Sequence, residues 1–175
     1  MKNCKEYYLD DARAITAIPV SEATINEAEP TSPANQLTPI IDEEWFSLSS
    51  DTIVIGRYRP IENEVVRDDV AFIPIQPGTG KVKDAQDDSV AGRLHTVNVT
   101  FEVDDREGEV WTRLLTLERT PCHLVLTFSD GKTRGFVTGN EDTWMCHTDR
   151  DGKKTSVTIK IQNLMGVQLF VGEEE

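Results

Sequence analysis

Apolar and polar residues alternate strictly from His95 to Val103. His95, Val97, Val99, Phe101 and Val103 fall on one face of an extended chain, and Thr96, Asn98, Thr100 and Glu102 fall on the other. The period then changes. Val110, Trp111, Leu114, Leu115 and Leu117 recur at helical spacing, leaving Arg106, Thr112, Arg113, Thr116 and Arg119 largely opposite, so one amphipathic helix is predicted near residues 106–119. Asp104 and Asp105 can accept from its orphan N–H groups, Glu107 and Glu109 place negative charge in its first turn, and Pro121 ends it. Alternation resumes in Leu124, Leu126 and Phe128. Three turns, at Ser129–Gly131, Gly139–Asp142 and Asp149–Lys153, then separate strands through Phe136, through Thr143–Thr148 and through Val157, Ile159 and Ile161, before a closing run at Gly166–Val171.

The first half is patterned less regularly. Tyr7 and Leu9 start one strand, and Ala12–Pro19 read as extended. Val20–Pro39 is rich in Ser, Thr, Glu and Asn, and Pro30, Pro33 and Pro39 deny it a long helix, so it reads as a linker or arm. Trp45, Phe46 and Leu48 are large enough to require docking on the domain. Asp51–Arg59 and Val65–Ile75 are β-rich, the latter demoted to an edge or exit by Pro74, and Gln76–Gly92 is the longest polar loop. The division expected is residues 1–39 as N-terminal strand, arm and linker, and 40–175 as one domain carrying the long loop 76–92. Its fold class is mainly β, an antiparallel β-barrel or sandwich with one flanking α-helix near 106–119 and an extended N-terminal arm.

Charge narrows the function. Thirty-one acidic against 18 basic side chains give a formal net charge of −13, which disfavours a surface that grips phosphates by counterion release. Specific nucleic-acid binding is not expected. A wall that repels phosphate over about 8 Å at physiological salt is compatible with this balance. Cys4, Cys122 and Cys146 make an odd set at irregular spacing, which is no disulfide framework. No apolar run approaches the ~18 residues of a membrane span, and Met1–Asp11 lacks a signal-peptide core, so a cytoplasmic site of synthesis and no membrane partner are expected.

No residue set commits the chain to catalysis, a cofactor or a metal. Gln76–Lys81 resembles a fragment of a phosphate loop, but Ile75 stands where the first Gly is needed and Val82 where Ser or Thr is needed. Cys122–His123 and Cys146–His147 each place adjacent residues on opposite faces of a strand, so each pair offers one ligand to any site where zinc requires four. The expected roles are small core hydrophobes and strand-edge histidines. Asp68–Asp69, Asp87–Asp88 and Asp104–Asp105 lack the alternating oxygen ligands of a calcium loop and read as solvated turns and a helix cap. Asn98–Val99–Thr100 matches a glycosylation sequon but lies mid-strand. Trp111 and Trp144 read as core residues.

The order of parts from His95 to Val171 resembles the tail-tube proteins of bacteriophages and related contractile injection systems. The resemblance is carried by the β-run His95–Val103, the helix around Val110–Leu117, the strand-turn-strand Leu124–Val137 with Asp130–Gly131, and Val157–Phe170 with Gly166–Val167–Gln168. It covers under half the chain. It implies a non-catalytic subunit that assembles with copies of itself into rings, usually hexamers, and with other tail components, and a final location in a virion tail. By position, Gln76–Gly92 and Ile25–Pro39 would be the contact loop and arm. A stand-alone β-barrel binding module with a pocket between helix and sheet is the alternative, and a small hydrolase using His95, His123 or His147 is a third reading.

Overall fold

The computed structural model describes residues 7–25, 46–48, 53–55, 71–89, 92–104, 109–131 and 133–171. The strands, in chain order, are β1 (Tyr7–Pro19), β2 (Ala23–Ile25), β3 (Phe46–Leu48), β4 (Ile53–Ile55), β5 (Ala71–Pro74), β6 (Gly80–Ser89) and β7 (Gly92–Asp104). The helix α1 (Glu109–Arg119) follows, and then β8 (Cys122–Phe128), β9 (Thr133–Val137), β10 (Met145–Asp151), β11 (Lys154–Asn163) and β12 (Val167–Val171). Nine strands form one open sheet in the order β10-β11-β7-β6-β1-β8-β9-β12, with β5 also paired to β1. A separate small sheet has the order β2-β4-β3, in which β2 and β4 run parallel.

This sheet folds over on itself. In the strand order β11 and β12 are six neighbours apart, which in a flat sheet would be about 29 Å. Yet only Leu164, Met165 and Gly166 connect them, and that length of chain reaches about 14 Å at most. The two ends must therefore lie over one another as layers of a sandwich, and the sheet is not closed into a barrel. The corner is in β1. Its first half, Tyr7–Ala12, pairs with β6, and its second half, Ala12–Pro19, pairs with β8, with a register shift at the change of partner. Asp11 sits there at φ 69°, a left-handed conformation that Asp tolerates better than most side chains. The Gln76–Thr79 turn braces the corner: Gly78 N–H donates to Asp11 Oδ1 at 3.2 Å and Gln76 N–H to Glu102 O at 2.9 Å.

The inward faces follow the alternation. Val97, Val99, Phe101 and Val103 of β7 and Val157, Ile159 and Ile161 of β11 are buried, together with Ile15, Leu124 and Leu126. The helix completes this core. Leu114 and Leu117 are fully buried and Val110 and Trp111 half-buried against it, while Thr112, Arg113, Thr116 and Arg119 are exposed, as the periodicity requires. It packs against β10 on one side and β5 on the other. Trp144 Nε1–H donates to Leu117 O at 2.9 Å, and the Arg150 guanidinium lies 5.0 Å over the Trp111 ring. Arg113 Nη1 donates to Phe72 O at 2.7 Å, so the helix also supplies a charged group at strand β5.

Several expectations are corrected. The segment expected as a loop over 76–92 is mostly strand: residues 76–79 turn, and its other described residues, 80–89 and 92, belong to β6 and the start of β7. Cross-strand pairing from Lys81↔Thr100 to Ser89↔Gly92 holds β6 extended although it has few apolar residues. The strand expected over 7–19 is present, and it is central to the sheet: β1 is bonded to β5, β6 and β8. Of the linker, 20–25 form a 3₁₀ turn and β2. Residues 26–39, Trp45, the 65–70 portion of a predicted strand and the cap around Asp105 lie outside the described residues.

Candidate functional site

The described histidines and cysteines, His95, His123, His147, Cys122 and Cys146, occupy four separate settings. His123 is 3% exposed on β8; its Nδ1 accepts the Gly139 N–H at 2.9 Å, and its ring lies 5.8 Å from that of Phe136. That bond leaves the ring proton of the neutral imidazole on Nε2. Burial pushes the His123 imidazole down to about 4. In an unfolded chain the same ring titrates near ~6.5. Between these values the unfolded chain binds a proton that the folded chain does not, so stability is full above ~6.5 and declines as pH is lowered toward 4. The loss expected from this group is on the order of 3 kcal/mol. Urea unfolding at pH 7.5 and 4.5 checks it: His123→Gln, which keeps an acceptor for Gly139, should flatten this part of the pH profile.

On the opposite side of β8, Cys122 is buried in the core and its Sγ contacts Thr120 O at 3.2 Å. Cys146, on β10, is half-buried against the same core. Burial pushes both thiols up to about 12, helped by Cys146 beside Cys122 and by the Glu118 carboxylate beside Cys146. Both are protonated at neutral pH, whereas attack and metal ligation require the thiolate. His147 is exposed on β10 and does not share this setting. Among the described residues no three His, Cys, Asp or Glu side chains converge to hold a metal. Asp87 and Asp88 are exposed near the β6–β7 hairpin tip, Asp88 lying 3.5 Å from Arg93 Nε. Lys81 is followed by strand, not helix, so the Gln76–Lys81 turn has no phosphate-binding helix N-terminus behind it.

The densest polar cluster joins the two layers. Asp84 of β6 is 8% exposed; its Oδ1 lies 2.9 Å from His95 Nδ1, and its Oδ2 accepts the Val167 N–H at 2.9 Å. Gln86, directly opposite His95 in the β6–β7 ladder, brings its Nε2 to 3.4 Å from His95 Nε2. Asn163 finishes the turn that delivers Val167. Its Oδ1 accepts the Met165 and Gly166 N–H groups at 3.2 and 2.6 Å, and its Nδ2 donates to Thr138 O at 2.9 Å. The carboxylate orients the imidazole as in acid–base catalysis, but its second oxygen is committed to Val167 and the outer ring nitrogen faces an amide. The arrangement therefore clasps the β11–β12 turn onto β6 and β7. Sequence reasoning passed over Asp84 because it lay in the supposed loop; only the hairpin register places it beside His95.

The remaining features are edges and exposed apolar groups. Within the described residues β10 is bonded only to β11 and β12 only to β9. Leu164 is 73% and Met165 57% exposed on the β11–β12 turn, and Phe72 and Met145 are also exposed. No described helix is long and apolar enough to cross a membrane. No family model matches the chain, and neither a curated protein nor a solved structure does.

Proposed function

We propose that this chain is a non-catalytic structural subunit of a phage or prophage tail, tail-tube-like, which assembles with copies of itself into rings and with other tail components. The observation that carries the reading is the open sheet: β12 ends it with one side unpaired among the described residues, next to the exposed Leu164–Met165 turn. Unpaired strand edges and clustered exposed apolar side chains are what subunits use to extend a sheet from one copy to the next. The net charge of −13 suits a channel wall that lets a polyanion slide without adhering. The subunit would be made in the cytoplasm and end in the virion tail.

Solution mass at high protein concentration, with electron microscopy of the same sample, tests this. Rings or stacked tubes are expected, and a strict monomer throughout would count decisively against the reading. Gln168→Lys places a charge on the β12 edge at a half-buried position. It should lower ring formation at least tenfold while leaving the thermal midpoint within a few degrees.

A further inference from the structure

We propose that the outer edge of β10 docks a second copy of this chain, the two β10 strands pairing antiparallel about a two-fold axis at Thr148. This goes beyond the ring reading and does not rest on it.

Strand β10 runs seven residues, Met145–Asp151, without proline, and among the described residues only β11 pairs with it. Its Cys146, Thr148 and Arg150 side chains face inward, where Thr148 meets Glu118 and Arg150 lies over Trp111. Met145, His147 and Asp149 are left exposed on the outer face. The strand edge is thus presented by a face already fixed from behind, with little left to order when a partner arrives.

Charge selects the partner and the register. A chain of net charge −13 repels its own copies, so self-association needs a place where the repulsion is locally relieved. The β10–β11 hairpin is such a place: Lys153 and Lys160 balance Asp149 and Asp151, while Lys154 is bridged to Glu102 at 3.6 Å and Arg150 is seated over Trp111. An axis at Thr148 sets each His147 opposite the other copy's Asp149, and each Asp151 opposite Met145, so no like charges face one another. Moving the axis to Asp149 would put two carboxylates in direct opposition, which is penalised in an antiparallel ladder, and moving it to His147 would part Asp149 from His147 and set it opposite Met145. The neighbouring edges offer no such selection. A carbonyl of β5 is taken by Arg113, and β12, Val-Gln-Leu-Phe-Val, has no charge to set a register.

An isologous contact closes at two copies, so it is separable from head-to-tail contacts that would build a ring. The test uses the full chain carrying His147→Cys and Asp149→Cys. Residues directly opposite in an antiparallel pair have Cβ atoms about 4.5–5.5 Å apart, close enough for disulfides with slight adjustment. Mild oxidation with oxidised glutathione should convert most of this variant to a reducible covalent dimer. The wild type treated alike controls for Cys4, Cys122 and Cys146, and a Met145→Cys, Asp149→Cys variant controls for register; neither should exceed a tenth of that yield. In sedimentation, Asp149→Lys should weaken the wild-type dimer at least tenfold, with an unchanged far-ultraviolet circular dichroism spectrum. Equal cross-linking by the register control would overturn the inference. So would a monomer at every concentration, including one whose β10 amides resist hydrogen exchange, since the edge would then be covered by another segment of the same chain. Rings without the 147–149 link would overturn this inference and leave the ring reading standing, and a linked dimer without rings would do the reverse.

Discussion

Leu117→Ala is expected to destabilise the fold by about 3–4 kcal/mol, well above the low end of the range for a buried leucine. Leu117 is 0% exposed, and two features limit how far its surroundings can collapse into the space left behind. Its own carbonyl is held by Trp144 Nε1 at 2.9 Å, and one turn away Arg113 is tied to Phe72 O at 2.7 Å. The helix cannot slide inward without giving up one of these bonds. Chemical denaturation should show a lowered midpoint with an unchanged slope. Leu115→Ala on the half-buried flank should cost clearly less. Equal costs would mean that the helix lies over the sheet without plugging it.

Gly166→Ala is the second large effect, about 2–5 kcal/mol. Gly166 has φ 65°, where an alanine costs roughly 1–2 kcal/mol, and forcing atoms into a filled site adds roughly 1–3. A Cβ at this position would come within 3.0 Å of Asp84 Oδ2 and of the His95 ring. Neither can retreat cheaply, because Asp84 also holds Val167 N–H and His95 also contacts Gln86. Thermal unfolding checks the size of the loss. The location is checked by the amide of Val167, whose hydrogen exchange should accelerate more than that of Val99 in the middle of β7. Uniform acceleration would indicate that the clasp is incidental to the joining of the layers.

The parts of this molecule that bury one apolar face were readable from residue spacing. In β7 and β11 the alternation of Val97 through Val103 and of Val157 through Ile161 reappears as alternating burial. The helix buries Leu114 and Leu117 as its period demands. Strand β6 was hidden because its inward positions include Asp84 and Gln86 beside Val82, which removes the period-two signal. Its extended state is imposed by neighbours on both sides, a tertiary effect that local pattern cannot carry. The clasp was hidden for the same reason, since Asp84 and His95 meet only through the hairpin register. Strand β10 is almost wholly polar and is placed in the sequence by its turns, which give its presence but set it at Thr143–Thr148, two residues early at its start and three short at its end.

The double membership of β1 bears on how the chain reaches this structure. Ile15 is bonded opposite Leu126 and Leu9 opposite Val82, so the earliest of the described strands waits for partners that lie some seventy and more than a hundred positions downstream. Loop closure over such spans comes late and slowly. During synthesis β1 would lack its full set of neighbours until β8 had left the ribosome, and a chaperone that shields extended apolar segments would have most to do in that interval.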